Sequence, residues 1–515
     1  MISMNDELRK PEQRSNPDET GDRLWEISIT ALVFTALIAV TSRSIADADL
    51  WGHLRFGLDN IQAGSIAQVD PFSYLTAGQR WINHEWLSEV VFGLVWLAGE
   101  SIGLVMLKTT VGILTLGVIY IYLRRSGMPV IRASVLLILG WLGILTAIAT
   151  VRPHMFTLLF TALTFIIIAK AEQGRYRWLW AAPLVMLLWI NFHGGVLAGL
   201  GFLCIWTFIH IIIHPKEWIR ILPPVIVSIF ALLVNPYGLD LVTFLFRTAT
   251  VARPEIVEWQ PIKVVSLLGG IYFILLAITI FGLVYSQRKK DIPIIVLLVV
   301  AALLPFVAFR HLPLFALAVL VFGGPYIANA WEKFSPTPQL HRHRPRWLSI
   351  ATLVIALILM VWSIPNFPNI VIPNQPVPFF PDRAVALLAE SQVSGNLGVE
   401  FNWGQYVIWH LGPEIQVSMD GRRETVYPDD KYEIYISFIK GSGQWDVLLE
   451  DYETHMVLIS KFGPAYNLMK IKPGWEIIFE DSVSALFAVQ GWDQIDTLNL
   501  AAQNLDPDFT NSQFP

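Results

Sequence analysis

Eleven apolar stretches, several of them close to the length that crosses a bilayer core, dominate the sequence; those at 292–309 and 348–364 are examples. In hydrocarbon every backbone N–H and C=O must be satisfied within the segment, so runs of this kind can only be helices. Composition agrees. The 515 residues are 54% hydrophobic and only 15% charged, with a mean hydropathy of +0.53. Soluble domains carry about 25% charged residues. An ordinary cytosolic enzyme and a disordered chain are both excluded, and a polytopic α-helical membrane protein is expected.

The expected span cores are 25–45, 101–123, 131–150, 154–170, 177–191, 195–213, 219–234, 266–286, 292–309, 312–330 and 347–365. The polar breaks between them alternate in character. One set is basic: Arg124, Arg125 and Arg132; Lys170, Arg175 and Arg177; Lys216 and Arg220; Arg288, Lys289 and Lys290; Lys333, Arg342, Arg344 and Arg346. By the positive-inside rule this side is cytoplasmic. That puts a tail at 1–24 inside and the C-terminal part outside, in a multi-pass protein of the plasma (inner) membrane. Segment 86–100 reaches only about 22 Å as a helix, short of a core of about 30 Å. It is expected to lie at or dip into the outer interface, as part of a long first outer loop, 46–100. No cleavable signal is expected, because residues 1–23 are mixed in charge and no small-x-small site follows the first apolar run.

Charge is divided along the chain. Residues 1–365 carry a net of +7 and residues 366–515 a net of −12. A basic membrane part joined to an acidic outer part argues against nucleic acid as a partner. The single cysteine, Cys204, excludes an intrachain disulfide and Cys-based zinc sites. A proline-rich linker is expected at 365–381, an outer α/β domain at 382–491 and a flexible tail at 492–515. In that domain helices are expected near 383–390, 431–439 and 445–451. Strands are expected at 397–401, 405–410, 415–419, 456–460, 475–479 and 485–489.

The unusual residues fall on the other, outer set of breaks. They are Asp47-Ala-Asp49-Leu-Trp-Gly-His53, Asp70-Pro-Phe-Ser-Tyr74, His84-Glu85-Trp86, Arg152-Pro-His154, His193-Gly-Gly, Asn235-Pro-Tyr-Gly238, Arg253-Pro-Glu255, Glu258 and Arg310-His311. Each ionisable group near hydrocarbon costs free energy unless it is paired or lines a wet cavity. Singly, each has a plainer reading. Asp49 suits the cap of a helix starting at 50. Asp70-Pro-Phe suits a turn. The Arg-His pairs suit interfacial anchors. Their collection on one membrane face is the functional signal. In the outer domain, Asn402-Trp-Gly-Gln-Tyr406 suits stacking on a sugar or peptide, or a strand start in the core. Arg422 and Arg423 offer two guanidinium forks for phosphate or carboxylate, or internal salt bridges at a turn.

The paired acids Asp47 and Asp49 just after the first span, a juxtamembrane helical region, about eleven spans and a C-terminal outer domain resemble the GT-C superfamily of integral membrane glycosyltransferases. Its members include protein O-mannosyltransferases, aminoarabinose transferases and the oligosaccharyltransferase catalytic subunit. The Asp-Ala-Asp-Leu-Trp-Gly-His, Asp-Pro-Phe-Ser-Tyr and His-Glu-Trp-Leu motifs are also similar to those of a bacterial membrane-protein group placed near that superfamily. The resemblance implies transfer of a sugar from a polyprenyl-phosphate donor to an acceptor glycan, lipid or protein at the outer face. It makes Asp47 or Asp49 the catalytic base or a metal ligand. His53, Asp70, His84, Glu85, Arg152, His154, His193, Arg310 and His311 become candidates for binding the donor, with Trp51 and Tyr74 as walls. Trp403, Tyr406, Arg422 and Arg423 are candidates for the acceptor. The first two lie in a segment similar to the Trp-Trp-Asp-Tyr-Gly acceptor motif, although it lacks the aspartate and one tryptophan. A divalent cation, Mg or Mn, is compatible with Asp49 and Glu258, with Glu255 beside them. The alternatives are a lipid-linked sugar transporter or flippase, and a non-catalytic membrane assembly protein.

Overall fold

The computed structural model describes residues 17–249, 251, 253, 256–335, 345–372, 380–504 and 514–515. Glu255, Arg342, Arg344 and most of the expected proline-rich linker lie outside the described residues. Among the described residues eight helices are long and apolar enough to cross a membrane, including Gly21–Thr41, Val130–Ile148, His154–Glu172, Val196–Ile213, Leu267–Tyr285, Phe309–Phe334 and Arg346–Asn366. The chain is a multi-pass helical membrane protein with a C-terminal sheet. The expected spans at 177–191, 219–234 and 292–309 appear as the shorter helices Ala182–Phe192, Trp218–Ala231 and Ile292–Leu303. Helical length, not apolarity, is what they lack.

The first helix ends at Thr41 rather than near 45. Ser44–Ile45 instead pairs in parallel with Ile370–Val371, and Ile45 bridges to Thr150. Segment 86–98 is a helix of its own. Gly99 and Glu100 leave helical backbone geometry there, and a Cβ added at Gly103 would sit 2.6 Å from the Val95 carbonyl oxygen. The chain therefore doubles back before residues 101–125 run on. The doubled-back helix packs along Leu50–Ala63, and Gly57 makes this close approach possible. A Cβ there would fall inside contact distance of the Glu89 carbonyl.

The C-terminal part carries a five-stranded sheet. Strands Ile415–Val417, Gly395–Val399 and Met456–Ser460 are parallel neighbours, followed by the antiparallel pair Ser484–Val489 and Trp475–Glu480. The expected strand at 405–410 is instead the helix Phe401–Leu411. Val407-Ile408 imitate a strand, but Trp403, Tyr406, Val407 and Leu411 recur at helical spacing and are all buried. The segment expected as a flexible tail begins with the helix Ile495–Asn504, which buries Leu498 and packs on Asp382–Ser391.

The first outer loop welds the two parts together. Val417 N–H donates to the Phe72 carbonyl at 3.0 Å and Tyr74 N–H to the Val417 carbonyl at 3.2 Å, so the loop covers the edge strand of the sheet. Below it Arg422 is 5% exposed at its side chain. It pairs with Asp420 at 2.7 Å and with Asp70 at 2.8 Å, both carboxylates fully buried, and lies against the rings of Phe56, Phe72 and Trp81. Burial opposes its charge, but the two aspartates hold the guanidinium well above its ordinary pKa. Removing one partner of a buried ion pair costs about 3–5 kcal/mol. Arg422→Met should therefore lower the thermal midpoint sharply and expose the sheet to trypsin; an unchanged midpoint and digest would contradict this role for the seam.

Candidate active site

Three helix-end segments and one loop bring the expected charges together. The Arg152 guanidinium sits at the centre. Its Nε lies 3.0 Å from Asp47, its Nη2 is bonded to Asp49, and its Nη1 lies 3.6 Å from Glu258. Glu258 also meets Arg310 at 3.3 Å. Trp259 is stacked by both Arg310, at 4.6 Å, and Arg253, at 3.9 Å. The side chains of Asp47, Asp49, Arg152, Arg310 and Glu258 are 20–36% exposed, open enough to meet a ligand yet largely screened from bulk water. Asp49 precedes the helix Leu50–Ala63 but makes no side-chain capping bond, because its carboxylate is engaged by Arg152. Asp47 accepts the Asp49 N–H at 3.0 Å, and this fixes the pair relative to each other.

The backbone under this network is held by a buried amine. Lys108 donates to the carbonyls of Arg43, at 2.6 Å, and Ala149, at 3.3 Å. These carbonyls lie at the ends of the two segments that carry Asp47 and Arg152. His154 opens its helix with Nε2–H donating to the Ala147 carbonyl, within range of the charges of Arg152, Arg310 and Glu258.

A second cluster adjoins the first. His53 Nδ1 lies 3.1 Å from Glu89 and 3.9 Å from Glu85. Glu89 also accepts from Asn83 at 2.5 Å. His193 Nδ1 accepts the Gly195 N–H at 2.9 Å, so its proton sits on Nε2, 3.4 Å from Glu85. His84 lies 3.8 Å from the same carboxylate. Burial works against a charge on His53, but its hydrogen bond to Glu89 and the charge of Glu85 raise its pKa above the ordinary value. Burial would also raise Glu85, but His84, His53 and His193 around it hold it down to about 2. The charge of Asp47 reaches His53 and that of Arg310 reaches His193, so the two clusters share one field.

Among the described residues, His53, Glu85 and Glu89 form a trio of metal-ligating side chains, with ligand atoms within 4.8 Å of one another. This donor set fits a divalent cation. Asp49 and Glu258 do not join such a trio; both face Arg152, whose guanidinium occupies the space between them. The structure separates other expected residues from the site. Asp70 and Arg422 form the buried seam. Arg423 borders the site only through Glu424, with which it pairs at 2.8 Å, and stacks on Tyr432. Trp403 and Tyr406 are 5% and 2% exposed, and Tyr406 packs against Trp51 and Phe380, so neither presents a face to an acceptor. Trp51 is fully buried in the same cluster, Tyr74 bonds Thr454, and His311 bonds the Leu304 carbonyl. Glu89, Trp259, Glu424 and Gly421 are the additions. Glu424 is bonded to Arg253, and a Cβ on Gly421 would come within 2.4 Å of Asp49. Glu89 had a signal in the sequence, lying four residues after Glu85 on a helix start. The other three depend on long-range contact.

No protein-family model matches the sequence, and no curated protein is similar to it. Solved structures do share the fold. The oligosaccharyltransferase AglB from Archaeoglobus fulgidus, in complex with an inhibitory peptide and a dolichol-phosphate, aligns with a TM-score of 0.57 at 12% identity, over 92% of this chain and 75% of that one. ArnT from Cupriavidus metallidurans bound to undecaprenyl phosphate aligns with a TM-score of 0.51 at 12% identity, over 92% and 98%. A mutant of the mycobacterial arabinofuranosyltransferase AftD aligns at 0.51 and 13%, over 90% of this chain and 41% of its own. The chain shares its fold with these solved structures.

The His–Glu cluster has a pH signature. Glu85, with its depressed pKa, contributes stability that is present above its unfolded value of 4.5 and is lost as pH falls towards 2. His53, with its raised pKa, contributes below its unfolded value of 6.5 and fades as pH rises through the folded value. The gap in thermal midpoint between the wild type and Glu85→Gln should therefore close as pH is lowered from 4.5 towards 2. A gap that stays constant across that range would contradict the assignment.

Proposed function

We propose that this chain is a membrane glycosyltransferase that moves a sugar from a polyprenyl-phosphate-linked donor to an acceptor glycan, lipid or protein, at the extracytoplasmic face of the inner membrane. The observation that carries the reading is the shared network in which two aspartates and two arginines meet Glu258 at one end of the helices. The fold supports it, since AglB was solved with a dolichol-phosphate and ArnT with undecaprenyl phosphate.

The reaction needs a base, an electrophilic stabiliser and a screened site. As the acceptor oxygen bonds to the anomeric carbon, its proton passes to Asp47 or Asp49. The bond from that carbon to the phosphate oxygen breaks, and its electron pair leaves on the polyprenyl phosphate. Arg152 and Arg310 face the negative charge that develops there. With no donor, Arg152 is shared by three carboxylates. A donor phosphate competes for the same guanidinium and so frees a carboxylate when the substrate has arrived. Trp259, clamped between Arg253 and Arg310, sets the position of Arg310.

Three carboxylates against two guanidinium groups leave the central network one negative charge in excess, which opposes entry of a phosphate. A divalent cation held by His53, Glu85 and Glu89 would offset that charge and lower the barrier to phosphate departure. The mixed imidazole and carboxylate set suits Zn or Mn better than Mg.

The test is transfer by purified protein from a panel of polyprenyl-phosphate sugars. Asp47→Asn or Asp49→Asn, whichever removes the base, should lower kcat by about 10²- to 10⁴-fold with the thermal midpoint little changed. Full transfer by the double variant would overturn the proposal.

A further inference from the structure

At the opposite ends of the helices lies a cavity of about 270 Å³ that the transfer reaction does not use, lined by Tyr176, Arg177, Trp180, Ile219, Arg220 and the Pro223–Pro224 pair. The helix His154–Glu172 starts in the charge network and ends beside this cavity. Its 19 residues rise about 28 Å, which matches the thickness of a bilayer core. Val196–Ile213 spans the same interval, from His193 to His214. The cavity therefore opens at the other membrane–water interface.

Its surroundings are those of an interfacial belt. Trp178, Trp180 and Trp218 are 40%, 57% and 51% exposed, and Ile219 is 63% exposed. Lys170, Arg175 and Lys216 add positive charge to that of the two lining arginines. Arg177 makes no ion pair or hydrogen bond among the described residues. Among the described residues Arg220 has only an exposed contact with Glu217, at 3.3 Å, and the second acid near the cavity, Glu172, is engaged behind its wall. Such a pair is worth little in water and gives way readily. Tyr176, in contrast, is fixed from behind. Buried His210 places Nδ1 at 2.8 Å from Glu172, and its Nε2 accepts from the Tyr176 hydroxyl at 3.2 Å. Trp206 donates to the same Glu172 oxygen at 2.7 Å. The tyrosine ring and the two prolines thus make a rigid wall, and two available guanidinium groups stand at the mouth.

We infer that this cavity binds the phosphate of an anionic phospholipid headgroup in the leaflet opposite the transfer site, through Arg177 and Arg220. Guanidinium forks match phosphate oxygens, and basic pockets between membrane helices on the cytoplasmic side take anionic headgroups. Ile219 and Trp180 offer apolar surface to the acyl chains. The inference does not depend on the transferase reading, because none of these residues belongs to the charge network.

The test is native mass spectrometry of the full chain, released from detergent after incubation with phosphatidylglycerol or phosphatidylcholine. The wild type should retain phosphatidylglycerol preferentially. Each of Arg177→Gln and Arg220→Gln should weaken that retention by about tenfold, the worth of a charge-assisted hydrogen bond. Both side chains are on the surface, so the thermal midpoint should hold. An excess of inorganic phosphate separates the two sources of the ligand. Failure to displace the lipid assigns the headgroup, and displacement assigns a free phosphate ester as occupant. Equal retention of both lipids by the wild type, or an unchanged preference in the double variant, would overturn the inference.

Discussion

One guanidinium organises the functional face of this molecule. Arg152 satisfies Asp47, Asp49 and Glu258 at the edge of the hydrocarbon region, where an unpaired charge would be costly. To make those pairs the chain must bring the end of its first helix, the turn before the helix His154–Glu172 and the loop after Ala249 to one point. Arg310 joins through Glu258. The outer domain is drawn in as well: Gly421 closes over Asp49, and Glu424 takes Arg253. The geometry of the site and the docking of the two parts of the chain are therefore the same set of interactions.

This arrangement explains a division of labour among the ion pairs. Arg422 with Asp70 and Asp420 is fully buried and acts as a structural rivet. The Arg152 network is partly open and shares too few cations among too many carboxylates. Burial sets the first apart as stability and partial exposure leaves the second available for exchange with a ligand. Lys108, bonded to two carbonyls under the network, ties down the backbone that carries these charges.

Much of this was legible in the sequence. Hydropathy located the eight long apolar helices among the described residues but not Leu239–Ala249, and the grouping of Asp47, Asp49, His53, His84, Glu85, Arg152, His154, His193 and Arg310 on one face came from counting breaks. Helix length was less legible: the helix Ile292–Leu303 gives way to a tighter turn at Pro305 although the apolar run continues to Phe309, whereas Pro223 and Pro224 lie inside the helix Trp218–Ala231. The role of Asp49 was ambiguous for a physical reason: a cap and a salt bridge use the same carboxylate, and only the position of Arg152 decides between them. Asn402-Trp-Gly-Gln-Tyr406 misled because aromatics beside a glycine suit both a stacking platform and a tight helix contact. Here a Cβ on Gly404 would meet the Met419 carbonyl at 2.2 Å, so the glycine serves close packing. Nothing local announces that Glu424 reaches Arg253, since they stand 171 residues apart.

The account rests on the C-terminal turn at Gly421 lying directly over the acids that follow the first helix. The most direct measurement is disulfide cross-linking of an Asp49→Cys/Gly421→Cys pair in a Cys204→Ala background. The Asp49 carboxylate fills the position of a Gly421 side chain, so the two sulfurs should meet and the pair should oxidise within one chain. A pair that stays reduced under mild oxidant in the folded protein would contradict the convergence from which the proposed chemistry follows.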